Sequence, residues 1–201
     1  MSFPARVAIG SRNPDKITEI LAICARWPGE WVTWETHAGA WPDVAETGGT
    51  YLENALLKAR AVAEAVGMPA VADDSGIEVD ALAGGPGPRS ARYAGEGGTD
   101  EQNLHMLIRA VAGVPAPGRT ARYRCVAAMA WPDGPDVWAE GVCEGTLRSK
   151  PRGSGGFGYD PIFVPVGWDR TMAELTPEEK DRISHRGRAF RALGELLARD
   201  P

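Results

Sequence analysis

Two carboxylates stand side by side in Val71-Ala72-Asp73-Asp74-Ser75-Gly76, directly after the apolar run PAVA. Adjacent negative charges repel, and each is costly to desolvate unless a cation or a hydrogen-bond donor compensates it. Two readings fit the stretch. It is a solvated turn, since Asp, Ser and Gly are turn formers, or a metal site at the carboxyl edge of a sheet, where open α/β folds hold ligands. Glu46, in the loop before the second main helix, adds a third carboxylate. Such a set could take Mg2+, which binds through one or two carboxylates plus substrate phosphates. One of the carboxylates could also deprotonate a water. HExxH, CxxC and any His cluster are absent, which disfavours zinc. GxSxG is absent too, and Ser75 has no obvious histidine partner, which disfavours a serine-hydrolase triad.

Three further stretches carry charge or rings suited to a nucleotide. Ser11-Arg12-Asn13-Pro14-Asp15-Lys16 opens a helix, where backbone N–H groups and a first-turn lysine make an anion site. It is not a P-loop, because GxxxxGK[ST] is missing. A solvated lysine is the plainer reading, although Lys in a first turn opposes the helix dipole. Gly153 to Gly158 matches GxGxxG formally, yet Tyr159-Asp160-Pro161-Ile162-Phe163 reads as a turn into a strand, not the helix a dinucleotide site needs. The better reading is a flexible glycine loop presenting Phe157, Tyr159 and Asp160, a ring to stack on a base and a carboxylate to accept its N–H groups. A glycine turn with core aromatics is the alternative. Lys180, Ser184, His185 and Arg186 straddle the start of the last helix and again suit a phosphate or a carbonyl. Together these stretches describe a site for a Mg-nucleoside triphosphate.

The elements that must position them follow from pattern. Residues 6–10 read as a short buried strand. Asn13 is a good N-cap, Pro14 suits the first helical position, and Ile17, Ile20, Leu21 and Cys24 make one apolar face. A second strand is expected over 31–36. Thr50…Glu53 is a capping box, and Gly67 ends its helix. PAVA reads as a central strand and IEVDAL as a shorter strand after a DDSG turn. AGGPGPRSARYAGEGG is a long irregular loop of the kind that is more often functional than filler. Thr99 to Ala112 is a capped helix, and 120–131 and 137–148 are strands of a hairpin around Asp133-Gly134. A short helix starts at Thr176, and Ser184 to Arg199 is the last one. The order is mixed α/β, with early parallel βα units, a later antiparallel ribbon and no separating linker: a single domain over residues 1–201.

Composition narrows the class. With 201 residues, 43% hydrophobic and 24% charged, the chain can bury a real core. The net charge is −5 with no Lys/Arg block, which argues against nucleic-acid and membrane-surface partners. Apolar runs fall far short of the ~20 residues a membrane span needs. The start MSFPARVAIGSRNPDK has no signal-peptide core, and Cys24, Cys125 and Cys143 suit a reducing compartment, so a cytoplasmic protein is expected.

SRNPDK, AETGGTYLENALLKA, VADDSGIEVDALAGGPGPRSARYAGE, SGGFGYDPIF, ELTPEEK and ISHRGRA occur in that order with sensible spacing. In these blocks, from about residue 6 to residue 197, the chain resembles the inosine/xanthosine triphosphate pyrophosphatase family. The resemblance implies an elongated α/β fold, two lobes around a long mixed sheet with the active site in the cleft between them, and a homodimer. It implies Mg2+-dependent hydrolysis of ITP, dITP and XTP to monophosphate and pyrophosphate, cleansing the nucleotide pool. It assigns Ser11, Arg12, Asn13, Pro14, Asp15 and Lys16 to the triphosphate, with Lys58 also facing substrate. It makes Asp74 the catalytic base and a metal ligand, Glu46 the second metal carboxylate and Ser75 a substrate contact. Phe157, Gly158, Tyr159 and Asp160 correspond to the base-binding loop, and Lys180, His185 and Arg186 to nucleotide contacts that include the purine 6-oxo edge. One position departs from the family pattern: many relatives carry two acids before Thr-Gly, and here Ala45 precedes Glu46. The same chemistry on another nucleotide set, and a non-catalytic nucleotide-binding module, are the alternatives.

Overall fold

Strand β1 (Arg6–Ile9) leads into helix α1 (Pro14–Ile23), where the Asn13 side chain accepts from Lys16 N–H and Pro14 takes the first turn. A computed structural model describes residues 3–199. After β2 (Glu30–Val32) come α2 (Tyr51–Val66), β3 (Ala70–Val79), α3 (Asp100–Ala110), β4 (Thr120–Ala130), β5 (Val137–Leu147), β6 (Phe163–Pro165), α4 (Pro177–Ile183) and α5 (His185–Arg199). The strands form one mixed sheet in the order β2-β1-β3-β4-β5-β6. β1 runs parallel to both β2 and β3, and β5 is antiparallel to β6. No helix among the described residues is long and apolar enough to cross a membrane.

Two expectations need correction. β2 stops at Val32, because the Thr36 hydroxyl accepts from Thr33 N–H at 2.9 Å and Thr36 N–H donates to Thr33 C=O at 3.1 Å. A Thr hydroxyl here offers the backbone a turn in place of a ladder. The second correction matters more. DDSG is not a turn, and β3 runs through it unbroken from Ala70 to Val79. The chain bends only afterwards, in a 3-10 turn at Asp80–Leu82, so that IEVDAL is half strand and half turn.

The chain divides into two compact units, each discontinuous in sequence. The first takes the described residues up to Asp74, then Cys125–Gly141 and the residues from Arg186 on. Its strands alternate faces with period two. Val7, Ile9, Val71, Cys125, Ala127 and Met129 pack with Ile17 and Ile20 of α1 and Phe190 and Leu193 of α5. Ala8, Ala70, Ala72, Val126, Ala128 and Ala130 pack with Ala55, Ala59 and Ala63 of α2. Alanine on both sides of that second interface lets α2 lie close to the sheet. The other unit, Ser75–Arg124 and Val142–His185, has its own core of Ile77, Leu107, Tyr123, Tyr159, Phe163 and Met172 among others.

Candidate active site

Because β3 is a strand through Asp73 and Asp74, their side chains go to opposite faces of the sheet. Asp73 follows Val71 onto the face covered by α1 and α5. Its Oδ2 accepts from Lys16 Nζ at 3.3 Å, from Arg186 Nε at 3.3 Å and Nη2 at 3.0 Å, and from the Cys125 thiol at 3.7 Å. Arg186 itself is 1% exposed and also bonds Glu19 of α1. Burial would raise the Asp73 carboxyl, but Arg186, Lys16 and Lys58 hold it well below the usual carboxylate range.

Asp74 follows Ala72 onto the α2 face. Asn54 Nδ2 donates to its Oδ2 at 3.1 Å, and Lys58 Nζ lies 3.6 Å from its Oδ1. Asn54 and Lys58 are one helical turn apart, so α2 brings them to the same place. Lys58 also bonds Glu46. Burial raises the Asp74 carboxyl above its ordinary value; Lys58, Lys16 and the Asn54 hydrogen bond oppose this, and Glu46 adds to it. Two neighbouring carboxylates are thus driven in opposite directions. Such a split separates a group held charged from one that takes a proton more readily than an ordinary carboxylate.

Glu46 and Asp74 bracket one cation, Lys58, and their oxygens are the hard donors that Mg2+ prefers. Among the described residues no group of three or more His, Cys, Asp or Glu side chains could hold a metal. Two carboxylates thus set hard oxygen donors on either side of Lys58, and they do not by themselves form a self-sufficient metal cage.

In the turn before α1, Ser11 Oγ accepts from Asn13 N–H at 3.2 Å, and Arg12 Nη2 donates to Trp41 C=O at 2.8 Å. Pro14 and Asp15 are exposed in the first turn of α1, and Lys16 is directed to Asp73. The turn, the acidic pair, Glu46, Lys58 and Arg186 all belong to the first unit.

The second unit holds the glycine loop, where the expected flexibility is corrected. Gly155 N–H donates to Ala173 C=O at 3.0 Å, Phe157 N–H to Asp160 Oδ2 at 3.1 Å, and Gly158 N–H to Asp100 Oδ2 at 2.9 Å. Tyr159 is not presented but buried, its hydroxyl donating to Ser90 C=O at 2.8 Å. Asp160 and Lys180 form a buried ion pair at 2.6 Å, with Lys180 Nζ 4.9 Å from the centre of the Phe157 ring. Glycine serves close approach here. A Cβ on Gly156 would sit 2.1 Å from Asp160 Oδ2, and its φ of +67° is a left-handed conformation. His185 stacks on Tyr123, with rings 4.5 Å apart and 8° from parallel, and Ser75 continues β3, half-buried.

Sequence reasoning missed Asn54, Glu19 and the ionic role of Asp73. Asn54 carries a faint signal, a poor helix former four residues before Lys58 inside an otherwise strong helix. Glu19 carries none.

A model of the Ham1 family matches residues 7–196. A Streptomyces coelicolor protein named dITP/XTP pyrophosphatase is 54% identical over 190 residues, 94% of either chain. A Geobacillus kaustophilus protein of the same name is 47% identical over 189 residues, covering 94% of this chain and 92% of that one. Among solved structures, a HAM1 protein from Coxiella burnetii superposes with a TM-score of 0.86 at 37% identity, over 98% of this chain and 100% of that one. A nucleoside-triphosphatase, dITP/XTP pyrophosphatase, from Mycobacterium abscessus gives a TM-score of 0.74 at 43% identity, over 96% and 98%. These likenesses span both groups of side chains.

Proposed function

The chain belongs to the Ham1 family, and from that premise we propose that it hydrolyses the deaminated purine nucleotides ITP, dITP and XTP to the monophosphate and pyrophosphate. Mg2+ is the proposed cofactor, held by Glu46 and Asp74, and the proposed setting is the cytoplasmic nucleotide pool, with the enzyme as a homodimer. The observation that carries this reading is the divergence of Asp73 and Asp74: one held as an anion by Arg186 and Lys16, the other beside Asn54, Lys58 and a second carboxylate, with burial raising it above its ordinary value.

In this reading Asp74 accepts a proton from a water that attacks the α-phosphorus in line. The bond from the α-phosphorus to the bridging oxygen breaks, and its electrons leave with the pyrophosphate. A carboxylate whose pKa is raised is the better base for this. Lys16 and Lys58 offset charge that develops on the phosphates, in a setting whose dipoles are already aimed. When bound, Mg2+ adds Lewis-acid stabilisation of the phosphate oxygens. Ser11 to Lys16 supply N–H groups and charge to the triphosphate. Phe157 offers a face to the base, with Gly158, Tyr159 and Asp160 fixing the loop and Lys180 beside it, while His185 stacks on Tyr123. A backbone N–H donor satisfies a 6-oxo purine, whereas a 6-amino purine leaves it unpaired, which costs orders of magnitude in rate. Arg186, buried against Asp73 and Glu19, is not the donor expected of it.

The test is product analysis with dITP, XTP, dGTP and dATP, with and without Mg2+. Monophosphate and pyrophosphate are expected from dITP and XTP, only with the metal. Orthophosphate release, or equal turnover of all four, would overturn the proposal. A two-carboxylate site also implies that Mg2+ binds more tightly once a non-hydrolysable triphosphate is present, which titration calorimetry reads directly.

A further inference from the structure

Asn54 is fully buried in the first turns of α2 and makes two polar contacts that lead in different directions. Its Oδ1 accepts from Gly48 N–H at 2.8 Å, and its Nδ2 donates to Asp74 Oδ2 at 3.1 Å. The orientation of the amide is set by its partners, since a backbone N–H can only donate and a carboxylate can only accept. Gly48 lies two residues after Glu46, in a loop tied to the same helix end. Gly49 and Thr50 N–H both donate to Glu53 Oε2, at 2.7 and 3.1 Å. The loop approaches so closely that a Cβ on Gly48 would stand 2.7 Å from Asn54 Oδ1 and 2.6 Å from Glu53 Cβ. Glu46 and Asp74 come from a loop and a strand 28 positions apart (74 − 46), and one side-chain amide joins the two segments.

We propose that Asn54 is a positioning residue that couples the Glu46 loop to the Asp74 carboxylate, fixing the separation of the two acids and the direction in which Asp74 faces water. The inference rests on the proposed hydrolase reading. No other residue type of this size does both jobs. Asp accepts from Gly48 but cannot donate to Asp74 and adds a like charge. Leu fills the space and makes neither bond. A helix that merely needed packing at this position would gain from Leu.

The test uses the full chain and begins with wild-type dITP turnover in Mg2+, so that failure of the hydrolase reading shows at once and separately. Asn54→Leu and Asn54→Asp are then compared for kcat, KM, Mg2+ dependence and exchange of the Gly48 amide proton. Asn54→Asp is expected to keep slow Gly48 exchange and to lose kcat by about 10–100-fold with KM within about 3-fold. Asn54→Leu is expected to lose kcat by at least about 100-fold, to need more Mg2+ and to exchange the Gly48 proton faster. If Asn54→Leu folds poorly, Asn54→Asp decides alone. Wild-type kcat and Mg2+ dependence in either variant would overturn the proposal, as would losses that vanish on cooling the assay below the variant's melting transition.

Discussion

Asp74→Asn is expected to lower kcat for dITP by about 100- to 10,000-fold while the protein melts close to the wild-type temperature. The size follows from what a positioned general base contributes; the retained stability follows from its surroundings. An asparagine fits the same space, can still accept from Asn54 Nδ2, and leaves Lys58 paired with Glu46. Removing the charge also relieves a group that burial already pushes toward its neutral form. KM is expected to change less than kcat, because Ser11 to Lys16 and the Phe157 loop are untouched. Steady-state kinetics beside a thermal melt check this. Full turnover in Asp74→Asn would remove Asp74 from the mechanism.

The neighbouring substitution has the reverse signature. Asp73→Asn is expected to cost about 3–5 kcal/mol of stability, because it takes the Asp73 charge from Arg186, which is only 1% exposed. For a chain of this length that is a fall of about 6–20 °C in melting temperature. Glu30→Gln, which breaks the exposed Arg6–Glu30 pair, is the control and is expected to stay within about 0.5 kcal/mol. The pH dependence has a definite sign. Asp73 is depressed in the folded state, so its contribution is complete above the unfolded carboxylate value near ~3.9 and is lost as pH falls toward the lower folded value. Wild type and Asp73→Asn should therefore differ most near neutrality and converge in acid. Denaturant melts at several pH values measure it. A uniform gap down to pH values well below ~3.9 would contradict the ionic role.

What was legible in the sequence was local. The Asn13 cap, the Thr50–Glu53 and Thr99–Gln102 capping boxes and Gly67 place α1, α2 and α3 to within a residue or two, because each depends on contacts three or four residues apart. The acidic pair itself was legible as chemistry but not as structure. Asp and Gly favour turns, and a strand can carry them only if distant cations compensate. Those cations come from 57 residues away in Lys16 and 113 residues away in Arg186, a separation that no window of sequence reveals. The glycine loop misled in the same manner. Its composition reads as freedom, whereas Asp100, Ser90 and Ala173 pin it from far along the chain. Tyr159, with its hydroxyl on a buried carbonyl, accordingly belongs to the core. The place of Glu46 follows the expectation of an acid in the loop before α2, and the structure adds Lys58 as the cation it shares with Asp74.

Asp73 and Asp74 are neighbours in sequence only. They are not adjacent in environment, because a continuous strand sends one to the α1 and α5 side and the other to the α2 side. The most direct test is to follow the carboxyl carbons of Asp73 and Asp74 by NMR as pH is raised from strong acid to neutrality. The expected result is Asp74 titrating above the ordinary carboxylate value near ~3.9, with Asp73 still ionised well below it. Titration of both at one shared midpoint, or of Asp73 above Asp74, would contradict the division of labour on which the mechanism rests.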